Sequence, residues 1–192
     1  MVGVFFVHSI KPDFGGVETH QKAFIDHFFI QGNQFDLIVE KNGIGCNVYM
    51  YSSAVSDFVT VASLDDHMSL YKWLNDKYNT GHYIFFLNDP WWIEDVPIMR
   101  SSFHESLIIM RSGGNDVEKA PCNLGIYTYD VRRNKYKDFI NTLDYIIANS
   151  NYSILRLERL GVNKKRILKI RGGVNTLAID ELKSKKIIVL RI

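Results

Sequence analysis

Short apolar runs and amphipathic stretches alternate along almost the whole of this chain, and that alternation constrains its fold more than any single motif. The runs Val2–Val7, Phe35–Val39, Tyr83–Leu87, Leu107–Met110, Tyr145–Ala148 and Ile167–Ile170 are rich in Val, Ile, Leu and Phe. Runs of that length, bounded by turn residues, read as strands buried on both faces. Helical spacing fills the gaps. Phe24 and Phe28, and Ile25 and Phe29, stand four apart in the stretch Val17–Ile30. Leu64, Met68, Tyr71, Leu74 and Tyr78 recur three or four apart, with Asp65 and Asp66 in the expected first turn, where a negative charge favours the helix dipole. A polar helix is expected over Tyr129–Thr142, and another over 151–160, capped by Ser150 and stopped by Gly161. Val48–Tyr51 and Phe58–Val61 are two further short strand candidates beyond the Asn42-Gly43 turn. Strand and helix in alternation imply an α/β fold, a Rossmann-like doubly wound parallel sheet with helices on both faces.

Ligands of such sheets sit outside the carboxyl ends of the strands. Asp13–His20, Asn88–Trp92 and Arg111–Asp116 are the loops expected there. In the first, Gly15 and Gly16 fall where the first strand turns into a helix. Two glycines let the backbone bend sharply and approach a ligand, and a helix N-terminus behind them offers N–H groups and positive dipole charge. That combination is an anion site, with phosphate its usual guest. The spacing matches neither G-x-G-x-x-G nor G-x-x-x-x-G-K-[ST], so neither the dinucleotide nor the P-loop fingerprint applies. A tight turn with no ligand is the alternative.

Composition narrows the function classes. At 192 residues and 46% apolar content, the chain is long enough for a real core and for one domain or one and a half. A formal net charge of +2 is too mild for a nucleic-acid partner, and none is expected. Cys46 and Cys122 lie far apart with no metal spacing and read as reduced thiols. His20 and His27 are two helical turns apart with no third ligand nearby, so no metal is expected. No stretch approaches the ~18 apolar residues of a membrane span. The N-terminus lacks a basic n-region, so no signal peptide is expected.

Three motifs in order carry a resemblance. The Gly15-Gly16-Val17-Glu18 segment resembles the glycine loop of retaining, GT-B glycosyltransferases of the large family-four class. Ile146-Ile147-Ala148-Asn149-Ser150, then Leu160-Gly161-Val162, then Ile167 to Asn175 resemble the closing segment of that family's N-terminal domain, where an "ANS" strand end and an "N-G-V-D" run lead into the second domain. Ile188 to Ile192 looks like the first strand of that second domain, usually "V-G-R-L".

The resemblance implies a division of the chain into an N-terminal, acceptor-side Rossmann-like domain at 1–179 and, at 180–192, a linker and first strand of a C-terminal donor domain. It implies transfer of a sugar, with retention, from a nucleotide-sugar donor to a glycan or lipid-linked acceptor, for polysaccharide biosynthesis, with no cofactor and no metal. Gly15, Gly16 and Arg191 would lie at the donor diphosphate. Asp13, Glu18, His20, Trp91, Trp92, Arg111 and Asn115 would contact the acceptor or sugar, and Asp116 is the catalytic-side candidate. Departures are visible. Arg111 to Asp116 stands where the family often has a histidine, Gly172-Gly173-Val174-Asn175 replaces "N-G-V-D", and the E-x7-E motif and lysine partner of the second domain are absent. The chain is therefore expected to be inactive without that domain or a partner subunit. A non-catalytic glycan- or nucleotide-binding module, or one subunit of a split glycosyltransferase, is the alternative.

Arg156, Arg159, Lys164, Lys165, Arg166, Lys169 and Arg171 cluster around Leu155, Leu157 and Leu160. Two readings stand: a peripheral contact with the inner face of the membrane, each basic residue adding about 1 kcal/mol near an anionic surface, or a solvated helix face in a cytoplasmic protein.

Overall fold

The computed structural model describes residues 2–7, 35–41, 45–52, 57–78, 83–88, 90–112 and 129–170. The described strands are β1 (Val2–Val7), β2 (Phe35–Lys41), β3 (Gly45–Ser52), β4 (Asp57–Leu64), β5 (Tyr83–Leu87), β6 (Leu107–Ser112), β7 (Tyr145–Ala148) and β8 (Ile167–Lys169). The described helices are α1 (His67–Tyr78), α2 (Val96–Ser102), α3 (Tyr129–Thr142) and α4 (Asn151–Arg159), with a 3-10 segment at Pro90–Asp95. All eight strands join one sheet in the order β4-β3-β2-β1-β5-β6-β7-β8.

From β1 the chain winds first one way and then the other. β2 pairs parallel on one side of β1 and β5 parallel on the other, and β6, β7 and β8 continue parallel outward. This is the expected doubly wound core. It is not parallel throughout, because β3 pairs antiparallel with β2 and β4 antiparallel with β3. Chain length dictates the change. Only residues 42–44 separate β2 from β3, and a parallel return needs a crossover of about a dozen residues or more. In the hairpin, Val48 pairs with Ala62 while Tyr49 pairs with Thr60, leaving Val61 as an extra residue on the edge strand. A bulge of this kind blunts an otherwise pairable edge.

Period-2 alternation sorts the strand residues onto two cores. Val4, Phe6, Ile38, Phe85, Ile108 and Ile146 share one face with residues of all four described helices, including Leu74, Met99, Ile140 and Leu157. Phe5, Val7, Leu37, Val39 and Phe86 make the second face. Strands buried on both faces are the reason the sequence reads as continuous apolar runs. The stretch 17–30, expected as a helix, lies outside the described residues.

Several boundaries move. Leu64 closes β4 instead of opening a helix, and α1 begins at His67 with Asp66 as its cap, accepting the Ser69 amide at 2.6 Å. The helix α2 was not legible. It is short and carries Pro97 in its first turn, so its sequence reads as a break. Strand β6 runs on to Ser112, two residues past its apolar run. By contrast α3 starts and stops where expected, and Ser150 caps α4 by accepting the Ser153 amide at 3.1 Å. Gly161 ends that helix with φ of +85°, a conformation costly for other residues.

Candidate functional site

The topological switch point lies between β1 and β5, whose chain connections leave in opposite directions across the sheet. A crevice at the carboxyl ends of these two strands is where open α/β sheets take their ligands. The two strand ends are tied directly. The Asn88 amide donates to the Phe6 carbonyl at 3.0 Å, and Asn88 is 3% exposed.

Behind this edge the 3-10 segment Pro90–Asp95 folds back over β1. Trp92 is buried, its ring centroid 5.0 Å from that of Phe6, and its indole Nε1 donates to the Val7 carbonyl at 3.3 Å. The bond supplies a partner for a carbonyl at the strand end, which burial would otherwise make costly. The resemblance assigns Trp92 to the acceptor or sugar. Its indole, buried and pinned to β1, is the floor of the edge. Trp91 lies in the same 3-10 segment.

His67, the first residue of α1, stacks on Trp92 with centroids 4.8 Å apart and 28° between planes. Its Nδ1 is 2.8 Å from Oδ2 of Asp95. Asp95 occupies the N-cap position of α2, yet its side chain makes no capping bond. It turns toward His67 and is 6% exposed. Tyr71, one turn along α1 from His67, is buried close by. Burial and then the Asp95 charge push its phenol well above the usual range, because both disfavour a second negative charge. Cys46 at the start of β3 completes the buried group, its thiol pushed up to about 12 by burial and then by Asp95 and Asp66.

Sequence reading missed His67 and Asp95. Each had a bland local signature, a residue after two acids and an acid before a helix. No spacing rule connects positions brought together only by the sheet. Arg111 was expected on a loop. It lies on β6 instead, opposite Ile147 of β7, and is 9% exposed. Ser112, next to it at the carboxyl end, is wholly buried. Asp13, Gly15, Gly16, Glu18, His20, Asn115, Asp116 and Arg191 lie outside the described residues. Among the described residues no group of three or more His, Cys, Asp or Glu side chains is placed to hold a metal ion. Nor is any described helix long and apolar enough to cross a membrane.

The basic cluster is partly committed to the fold. Arg166 donates to the Ile140 carbonyl at 3.1 Å and to the Leu143 carbonyl, closing the end of α3. Lys169 donates to Asn151 Oδ1 at 2.6 Å, and Arg156 to the Tyr152 hydroxyl at 2.6 Å. Lys164 faces Glu158 at 3.9 Å and is 82% exposed, so that pair is loose. Tyr152 and Leu155 are both more than half exposed on α4.

No protein-family model and no curated protein matches the chain. Solved structures do. The chain is similar to Anabaena Alr3699/HepE in complex with UDP and glucose, at 12% identity and a TM-score of 0.51, over 96% of this chain and 50% of that one. It is equally similar to the same protein in complex with UDP-glucose, at 11% identity and a TM-score of 0.51, over 96% and 49%. At such identities the likeness establishes a shared fold. The chain spans about half the length of the HepE structures it matches.

Proposed function

We propose that the chain is the N-terminal, acceptor-side half of a GT-B glycosyltransferase that transfers a sugar from a nucleotide-sugar donor, with retention, to a glycan or lipid-linked acceptor. The observation that carries this reading is the fold match over 96% of the chain to a protein solved with UDP-glucose, itself about twice as long. The glycine pair after β1 supports it from the sequence side. Gly15 and Gly16, which follow β1 in sequence, are assigned to the donor diphosphate. Arg111, on β6 two strands from β1, and Asn115 and Asp116, which come after that strand in sequence, are assigned to the transferred sugar or the acceptor. The same reading assigns Arg191 to the diphosphate. The reading requires no metal. The reading also includes a cytoplasmic location with peripheral contact at an anionic membrane, supported by exposed Tyr152 and Leu155 beside Arg159, Lys164 and Lys165.

The test is calorimetric titration of the chain with UDP-glucose, GDP-mannose, UDP and GDP. Weak binding that requires the diphosphate, and is lost in Gly16→Val, is expected of half a cleft. Tight nucleotide binding by this chain alone overturns the two-domain reading. Binding indifferent to Gly16→Val overturns the assigned anion site.

A further inference from the structure

His67 and Asp95 are unrelated in sequence and absent from the glycine-loop reading, yet they meet at the switch point. The contacts run in one direction. Asp95 Oδ2 lies 2.8 Å from His67 Nδ1, His67 lies flat against Trp92 at 4.8 Å, and Trp92 Nε1 donates to the Val7 carbonyl at 3.3 Å. Trp92 also packs edge-on to Phe6, whose carbonyl accepts the Asn88 amide. So a chain of contacts begins at a buried carboxylate and ends on the backbone of both strands that flank the crevice.

Two features set this arrangement apart from ordinary packing. Asp95 stands at a helix N-cap, where its carboxylate would favour α2 by accepting an amide, and it gives that bond up to face an imidazole. A buried carboxylate without such a partner is costly. His67 is only about a quarter exposed, and its Nε2 is closed off from solvent. The ring therefore acts through its neighbours and not directly on a ligand.

We infer that His67 is a positioning residue of the crevice, oriented by Asp95 and acting through Trp92 to hold the carboxyl ends of β1 and β5 at the spacing a ligand meets. The consequence for ligand affinity rests on the nucleotide-sugar reading above; the consequence for the strand ends does not.

The experiment uses the full chain with His67→Ala, His67→Asn and Asp95→Asn. Asparagine at 67 restores a donor near the Nδ1 position, and Asp95→Asn is the milder change should His67→Ala fail to fold. Amide hydrogen exchange reads Asn88 at the crevice, with Ile146 in β7 as the reporter of global stability. His67→Ala is expected to speed exchange at Asn88 by about tenfold, the scale of one lost hydrogen bond. Ile146 stays unchanged, Asp95→Asn does part of the same, and His67→Asn recovers protection. UDP-glucose affinity measured in parallel is expected to fall by a similar factor and to recover in His67→Asn. If Asn88 and Ile146 accelerate together, or neither moves, the positioning role is overturned. If wild-type chain and variants alike fail to bind UDP-glucose while Asn88 responds as expected, the ligand reading fails and the positioning role stands.

Discussion

Arg100 Nη2 and Asp144 Oδ2 meet at 2.7 Å, and through them α2, β6, α3 and β7 are tied at the amino edge of the sheet. Arg100 also donates to the Ser106 carbonyl and the Thr142 carbonyl, each at 3.0 Å. The same Asp144 oxygen accepts the Ile108 amide at 2.7 Å. Asp144→Ala removes the acceptor and leaves the Ile108 amide without it. It is expected to destabilise the fold by about 1.5–3 kcal/mol, the range for hydrogen bonds to charged groups. Urea unfolding checks this; a change in midpoint with the slope preserved is the expected form. Asp144→Asn, which keeps an oxygen at the site, is expected to cost less, and equal losses would show that the charge is irrelevant.

Asp36 on β2 is wholly buried, and Lys77 near the end of α1 reaches it with bonds of 2.9 and 3.1 Å. Lys77 also lies 4.5 Å over the Trp73 ring. Lys77→Met removes the ammonium facing a buried carboxylate, and the expected loss is about 3–5 kcal/mol. The double variant Asp36→Asn, Lys77→Met removes the buried charge and is expected to recover most of that loss. A double variant no more stable than Lys77→Met would show that packing, not the buried charge, set the cost.

Cys46 provides a pH-dependent test of the interior. Its folded value, up to about 12, lies above the ~8.5 of an unfolded cysteine. A group raised in this way contributes its full stability below about pH 8.5 and loses it as pH rises toward the folded value. The expected outcome is a stability that declines through this alkaline window and a thiol that resists alkylation. In a Cys122→Ser background, iodoacetamide at pH 8.5 is expected to label Cys46 only at the rate of unfolding, and rapidly in urea. Rapid labelling under native conditions would place the thiol at an accessible surface.

What the sequence made legible follows from what is local. The continuous apolar runs at Val2–Val7 and Tyr83–Leu87 announced strands buried on both faces, and Ser150 and Gly161 marked both ends of α4, because caps and burial act over a few residues. The α2 helix stayed hidden because Pro97, a breaker in most settings, sits in a first turn that tolerates it. The antiparallel hairpin was decided by the length of the 42–44 connection, a geometric limit that periodicity does not express. The burial of Trp92 was not legible because an indole near a cleft looks the same in sequence whether it faces solvent or the Val7 carbonyl. His67 and Asp95 were missed because their meeting is a property of the assembled sheet.

The basic surface at the α4 end of the sheet yields the last prediction. Arg166 spans the end of α3, so reversing it would test folding instead of binding. Lys164 and Lys165 are exposed, and Tyr152 and Leu155 lie exposed on the neighbouring helix. Lys164→Glu with Lys165→Glu removes two attractive charges and adds two repulsive ones, each basic residue being worth about 1 kcal/mol near an anionic surface. Binding to phosphatidylserine-containing vesicles is expected to fall at least about tenfold, to weaken with salt in the wild type, and to fall again in Leu155→Ser through lost apolar insertion. Thermal unfolding of the charge-reversed chain is expected to match wild type, because Lys164 makes only a loose contact with Glu158. Unchanged vesicle binding with an unchanged melting temperature would leave this face a solvated helix and remove the membrane from the proposed function.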